Sequence, residues 1–546
     1  MTLYLTIENK IITSTICQNL YKTELNNYII ISTQKNLDLK IDDRFFFHKC
    51  KGIVIEESKD FVLIHNDPFN SIPLYVYQDR KSNSLIVSSS IKKIVDIYSS
   101  VLTIDIVGLW EAIVLGNCIN KRTIYNEILS MPSASFLNIS KENVFEIERY
   151  WDYSIMEDQN IADSQSITET LYNKLDQVFN KLDKSCEYIM GLSGGLDSRI
   201  TLAMLQGKIR KENLKLFTFG YDDRIYEYKY ASAVAKNLNY NVPEFYYLNH
   251  KIYSEFMNEF IAQSGGSIGF QHSHIYTYLS TANIKSNSCF ISNYYSDATF
   301  GYSAKYQKKI DDTLENSDIY NKIIKLSIES SIRNGILNDL NEIAKMYSIE
   351  FNYSSFDEYF YVTERNPKFH MVLSEIYRYF LPVECPYADF ELLTLMISIP
   401  LKFRHDKIMV DQILLKYFDQ GLSNIGDVSS RNWNGVDMGV FKNYRFHMLN
   451  RINSVLRVIT RGYIQIFNPF QTEVFERIFF LNFKKDFFGA INLFANLKII
   501  DKNLKKWYFK TPLRSGQGIS ERYQILSLYF YLKDTIKHGF IKHMHT

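Results

Sequence analysis

Along the front third of the chain, apolar positions come in short β-branched runs: Tyr28-Ile29-Ile30-Ile31-Ser32, Gly52-Ile53-Val54-Ile55 and Phe61-Val62-Leu63-Ile64-His65. Polar turns separate them, which is the pattern of short strands. The turn Asn66-Asp67-Pro68-Phe69-Asn70 leads into Pro73-Leu74-Tyr75-Val76-Tyr77, and another strand follows at Leu85-Ile86-Val87. A layered antiparallel module over residues 1–160 is expected. After Trp151 the period changes. Ile167, Leu171, Leu175, Val178 and Leu182 recur at helical spacing, predicting a helix over 165–184. A buried strand follows at Tyr188-Ile189-Met190-Gly191-Leu192, then Lys215-Leu216-Phe217-Thr218-Phe219, a helix over 227–238, and Glu244-Phe245-Tyr246-Tyr247-Leu248. Such alternation predicts a parallel sheet with helices on its faces. Beyond about residue 320 the pattern is mostly helical. The fold class is therefore α/β with a β-rich front domain, divided into 1–160, an α/β domain over 161–430, and a helical extension over 431–546. No internal repeat or low-complexity linker interrupts this order.

Bulk composition narrows the function without naming it. At 546 residues the chain exceeds one compact domain. Its 62 basic and 60 acidic residues leave a net charge of +2, which argues against an electrostatically driven nucleic-acid binder. No apolar run is long enough for a transmembrane segment, and the start lacks a basic n-region, so a cytoplasmic protein is expected. Six cysteines, Cys17, Cys50, Cys118, Cys186, Cys289 and Cys385, are scattered without a Cys-x-x-Cys pair, and read as reduced thiols. The 40 Tyr and 38 Phe fit an AT-rich gene as readily as a function.

The chemistry lies in Ser193-Gly194-Gly195-Leu196-Asp197-Ser198, directly after a buried strand and opening a helix over 199–205. Glycines let the backbone pack close to an anion, and successive amides point into the turn. The helix presents its positive end to the same place. Ser193 and Ser198 add hydroxyl donors. Asp197 would repel a phosphate directly but can hold a bridging Mg²⁺. The loop suits a magnesium-bound pyrophosphate. It is not the lysine-containing phosphate loop, because no Gly-x-x-x-x-Gly-Lys-Ser/Thr occurs.

This hexapeptide resembles the signature of the PP-loop ATP pyrophosphatases, in the asparagine synthetase branch. Further stretches resemble that family in the same order: Asn66-Asp67-Pro68-Phe69-Asn70-Ser71-Ile72-Pro73-Leu74-Tyr75, Val87-Ser88-Ser89-Ser90-Ile91-Lys92, Arg149-Tyr150-Trp151 and Pro386-Tyr387-Ala388-Asp389. The resemblance implies an Ntn-hydrolase-like, glutaminase-type front module and a PP-loop synthetase domain using ATP and Mg²⁺. A carboxylate becomes an acyl-adenylate, and an amine displaces AMP. The residues put at the nucleotide are Gly191, Leu192, Ser193, Gly194, Gly195, Asp197, Ser198, Phe219 and Ser292, with Asp197 and Asp297 as metal ligands.

Departures from the family decide the rest. The glutaminase needs a cysteine beside the free α-amine. Here Met1 is followed by Thr2, the nearest cysteine is Cys17, and Asn70 stands where the family's turn carries glycine. Thr2 is a rival nucleophile; otherwise the front module is a scaffold without glutaminase activity. The metal motif Ser-Gly-x-Gly-x-Asp-Glu becomes Ser292-Asn293-Tyr294-Tyr295-Ser296-Asp297-Ala298. Asp297 is either a metal ligand or a helix N-cap. The family's lysine position reads Asp411, the wrong sign for stabilising a leaving phosphate. Lys407, one helical turn earlier, is the substitute, with Lys402, Arg404 and Lys416 behind it, or else a surface residue. Glu384 is the candidate base or orienting acid. Glu227 touches nucleotide or forms a salt bridge. His272-Ser273-His274 and His543-Met544-His545 lack a third metal ligand and read as packed or surface histidines. Aromatic stripes near 467–483 and 523–532 read as core. An amide synthetase of the lasso peptide cyclase type is the favoured natural-product reading, with a leader peptidase and a leader-recognition protein as partners. A small-molecule amide or lactam synthetase, an ammonia-using amidating enzyme and an inactive nucleotide-binding scaffold are the alternatives.

Overall fold

The computed structural model describes residues 3–8, 11–15, 19–25, 28–34, 46–58, 60–140, 142, 144–160, 163–220, 222–248, 250–301, 313–326, 328–418, 421, 422, 425, 448, 449, 451–453, 455, 456, 459, 482–496, 499, 500, 505 and 519–537. Thr2, Cys17, His543, His545 and most of the 467–483 stripe lie outside the described residues.

Two antiparallel sheets make up the front region. The strands are β1 (Tyr4–Glu8), β2 (Ile11–Thr15), β3 (Tyr21–Leu25), β4 (Tyr28–Ser32), β5 (Gly52–Glu57), β6 (Phe61–Asn66) and β7 (Tyr75–Asp79). After them come β8 (Ser84–Ser88), β9 (Ile128–Ser130), β10 (Ser135–Ser140) and β11 (Phe145–Arg149). One sheet runs β2-β1-β8-β7-β9 and the other β11-β10-β6-β5-β4-β3. Alternation explains their stacking. Val76, Leu85 and Val87 of the first sheet share a core with Ile53, Ile55, Val62, Ile64 and Leu137 of the second. Tyr75, Tyr77 and Ile86 point the other way, into the main core, beside the helices Ile91–Tyr98 and Ile106–Leu115. Those helices interrupt a region expected to be made of strands; Ile91, Ile94 and Val95 recur at helical spacing behind the Ser90 cap.

The third sheet is parallel throughout, in the order β14-β13-β12-β15-β16. Its strands are β12 (Glu187–Gly191), β13 (Leu214–Gly220), β14 (Glu244–Tyr247), β15 (Ser288–Ile291) and β16 (Val383–Glu384). The chain moves outward from β12 to β13 and β14, then returns to place β15 on the other side. The order reverses between β12 and β15, and the crevice beyond their carboxyl ends is where such sheets bind ligands. Beyond residue 320 the described chain is helical apart from β16 and connecting turns.

A ten-residue π-helix, Tyr361–His370, joins front and back, with Pro367 inside it. Such wide helices are rare and occur mostly as single turns near functional sites. Glu364 accepts from Asn120 N at 3.0 Å, and pairs with Arg149 and with Lys368 at 3.1 Å. Burial alone would raise its carboxyl, but Lys368 and Arg149 outweigh burial and hold it low. Arg365 donates to Leu115 O and Asn117 Oδ1 at 2.9 and 2.8 Å, its guanidinium 3.6 Å from the Phe369 ring centroid. Asn70 Nδ2 donates to Pro367 O at 3.2 Å, and Asn66 Nδ2 to Asn70 Oδ1 at the same distance.

Candidate active site

Gly191 and Leu192 carry the chain off β12 into the Ser193–Ser198 loop, and the helix Leu196–Leu205 starts within it. Gly194 sits at φ +76°, and a Cβ there would lie 2.7 Å from Ala231 N and 2.8 Å from Tyr230 Cβ. Only glycine fits both the angle and the approach. Ser193 Oγ and Ser198 Oγ are 3.1 Å apart, Ser193 N donates to Ser198 Oγ and Gly195 N to Ser193 Oγ, each at 3.3 Å. The loop thus holds its own backbone and hydroxyl groups in place at a helix N-terminus. Phe219, at the end of β13, stacks on His274 with centroids 4.5 Å apart.

A second loop leaves β15 alongside it. Ser292 N donates to Glu384 O at 2.9 Å, and Ser292 Oγ accepts from Tyr294 N at 3.1 Å. Tyr295, standing at the second glycine of the family pattern, adopts φ +70°. A tyrosine in that region is strained. Its surroundings hold it there: the ring is 1% exposed, meets Phe69 edge-on at 5.0 Å, and its hydroxyl donates to Phe69 O at 3.3 Å. Tyr295 caps the short helix Ser296–Thr299, so Asp297 is not the N-cap but lies in the first turn.

The two loops meet at Lys407. Its Nζ is 2.5 Å from Asp197 Oδ2 and 2.7 Å from Asp297 Oδ1. Burial would lower this ammonium, but the two carboxylates outweigh it and keep it protonated. Burial raises Asp197 to about 6; Lys407 opposes that shift and the like charge of Asp297 adds to it. Lys407 reaches the site for a different reason from the helical face expected in the sequence. Asp406 and Lys407 have φ +51° and +60°, a kink before the helix Ile408–Tyr417, so Lys407 is not one regular turn from Asp411.

The other basic candidates go elsewhere. Arg404 is buried against Glu358, Nη1 to Oε1 at 2.5 Å, while Lys402 lies over Phe403 and Lys416 pairs with Glu169 at 3.6 Å. Glu384 is raised to about 7 by burial, against the pull of Lys51, Gln34 and Arg378. Among the described residues it makes no hydrogen bond or ion pair with Asp197, Asp297 or Lys407. Glu227 occupies the first turn of Tyr226–Asn237, the helix packed against Gly194, and burial alone raises it to about 7. Burial lowers both His272 and His274, holding them neutral. The 523–532 stripe belongs to the helix Ile519–Lys537 and is largely core, Tyr531 bonding the Tyr125 hydroxyl at 2.8 Å.

A divalent cation suits this geometry as a bridge to phosphate and not as an all-protein site. Among the described residues no cluster of three or more His, Cys, Asp or Glu could hold a metal. Asp197 Oδ1 is buried without a hydrogen-bond partner, and the Lys407 ammonium already occupies a cationic position between the two carboxylates.

Residues 174–361 match the asparagine synthase family. That span holds both loops, Asp197 and Asp297, and supports an asparagine synthetase-like, ATP-using ligase. No curated protein is detectably similar in sequence. One solved structure, the NH3-dependent NAD synthetase from Campylobacter jejuni subsp. jejuni NCTC 11168 in complex with the nitrate ion, is 17% identical. It covers 34% of this chain and 79% of its own, with a TM-score of 0.18, a likeness too loose to bear on mechanism. No helix among the described residues is long and apolar enough to cross a membrane. Sequence reasoning missed Arg199, whose buried guanidinium touches the loop; its place directly after Ser198 was the available signal.

Proposed function

We propose that this chain is an ATP-dependent amide-bond synthetase working through an acyl-adenylate. A substrate carboxylate oxygen attacks the α-phosphorus of ATP, and the bond to pyrophosphate breaks. An amine nitrogen then attacks the acyl carbon, loses a proton, and the bond to the AMP oxygen breaks. The observation that carries this reading is the Lys407 ammonium, 2.5 and 2.7 Å from Asp197 and Asp297 at the mouth of a pyrophosphate-type loop. The loop amides and helix end would bind the leaving pyrophosphate, and Lys407 would offset its growing charge. Asp197 and Asp297 would hold Mg²⁺, which neutralises phosphate oxygens when bound. Glu384 is the candidate base for the amine, and its backbone carbonyl accepts from Ser292 N at 2.9 Å beside the second loop.

Within this reading we favour closure of a peptide macrolactam, as in a lasso peptide cyclase, with a leader peptidase and leader-recognition protein as partners. Support comes from the front turn: Asn70 bonds Pro367 O, and Phe69 braces Tyr295, so this turn serves the back of the molecule as structure. The nitrogen then comes from the substrate's own amine. The test is AMP and pyrophosphate release from Mg²⁺-ATP, with Asp197→Ala as control. Peptides bearing a free N-terminal amine and an internal Asp or Glu are added first, then small amino acids and ammonia. Peptide-dependent AMP with loss of one water from the peptide supports the macrolactam form. AMP with small acids only would shift the substrate. Asp411 in place of the family's lysine and Ala298 in place of its glutamate favour a second reading, a scaffold that binds nucleotide without turnover. ATP binding with no AMP under any addition would select it.

A further inference from the structure

Arg199 stands one residue past the loop and is 1% exposed. Its Nη2 donates to Gly194 O at 2.7 Å. Its Nη1 donates to Leu422 O and Ile425 O at 3.2 and 3.0 Å, so the guanidinium is gripped from both sides. In a trans peptide the carbonyl and the following N–H point in opposite directions. With Gly194 O turned toward Arg199, the Gly195 N–H is turned away from it, to the side where Ser193 Oγ accepts at 3.3 Å. This peptide lies between two glycines, so no Cβ resists its rotation. Turned over, it would show a carbonyl oxygen to an anion instead of a donor.

We infer that Arg199 is a positioning residue that fixes the Gly194–Gly195 peptide with its carbonyl held away from a bound pyrophosphate, and ties that loop to Leu422 and Ile425. The inference rests on the reading of Ser193–Ser198 as a pyrophosphate loop and adds the residue that orients it. A planar fork of donors can serve Gly194 and the Leu422 and Ile425 carbonyls at once, whereas a lysine ammonium on a flexible stem cannot reproduce that geometry.

The experiment titrates inorganic pyrophosphate with Mg²⁺ into wild type, Arg199→Lys, Arg199→Gln and Arg199→Ala by calorimetry. Wild type binds, and the three variants bind about tenfold to a hundredfold more weakly, the loss of one donor to a charged ligand. Millimolar methylguanidinium restores pyrophosphate affinity to Arg199→Ala by refilling the vacated site. Hydrogen exchange on wild type covers the case of variants that do not fold: pyrophosphate slows amides at 421–425 as well as at 193–198. Wild type that binds no pyrophosphate would overturn the loop reading and this inference together. Wild-type binding matched by all three variants, or no slowing at 421–425, would overturn the role of Arg199 and leave the loop reading standing.

Discussion

Tyr295 donates its hydroxyl to the carbonyl of Phe69 at 3.3 Å, so the loop that carries Asp297 is braced by a turn of the front module. The bond spans 226 residues of sequence. It fixes a tyrosine in a left-handed conformation that the family pattern gives to glycine. Phe69 is fully buried, and its ring is the wall that Tyr295 meets. Phe69→Ala should cost about 3–5 kcal/mol of stability, the usual range for a buried phenylalanine. It should also lower AMP formation, because Tyr295 loses the contact that opposes its strain. Denaturant melting beside the AMP assay checks both; normal stability with normal turnover would show that the brace is dispensable.

Lys407 is expected to matter more to reaction than to folding. Lys407→Met removes the cation between Asp197 and Asp297 and should reduce AMP formation about a hundredfold to a thousandfold. The stability change should be smaller, about 1–3 kcal/mol, because Asp297 is partly exposed and relieves its charge to water. A rate equal to wild type would exclude Lys407 from the chemistry.

The two loop glycines should separate cleanly by melting temperature. Gly194→Ala places a Cβ 2.7 Å from Ala231 N at φ +76°, with an expected cost of about 2–4 kcal/mol. At Gly195 the nearest atom to an added Cβ is Ser193 Oγ at 3.4 Å, and φ is −69°. Gly195→Ala should therefore stay within about 0.5 kcal/mol of wild type. Equal melting of the two variants would contradict this account of the loop.

Glu384 sets a pH dependence whose sign follows from burial. Its carboxyl is raised from 4.5 to about 7 in the folded protein, so the folded state holds this proton after the unfolded chain has lost it. The stability it contributes is full below about pH 4.5 and is lost as pH rises toward 7. Glu384→Gln cannot release that proton, so its stability should fall less across this window. Urea midpoints from pH 4.5 to 7.5 test it, and parallel curves for the two proteins would refute the assignment.

A buried ion pair offers a purely structural check. Arg404 and Glu358 are each 1% exposed in their side chains and joined at 2.5 Å. Glu358→Ala leaves a guanidinium uncompensated and should cost about 3–5 kcal/mol. A loss below about 1 kcal/mol in denaturant melts would mean that water reaches Arg404.

The loop was legible in the sequence because strand, glycines and helix lie within some twenty consecutive residues, where local chemistry dictates local shape. The strand Tyr28–Ser32 was legible for the same reason, and its observed bounds coincide with the β-branched run. Lys407 could be proposed only by analogy of position. Its contacts close over 210 and 110 residues and depend on two left-handed residues, neither of them glycine, that no periodicity reveals. The π-helix was invisible because Pro367 reads as a helix breaker; its acceptance there depends on tertiary partners such as Asn70.

That wide helix also governs how this gene can be cut and spliced. Glu364 draws on Asn120 and Arg149, and Arg365 on Leu115 and Asn117, all from the front of the chain. A shortened protein beginning after the front module would leave Glu364 with Lys368 and without Arg149, take the Leu115 and Asn117 acceptors from Arg365, and should lose stability. An exchange of front modules between homologues would succeed only when residues 115–149 travel with the matching 361–370. In recombination the two stretches should therefore behave as a single inherited unit, although more than two hundred residues lie between them.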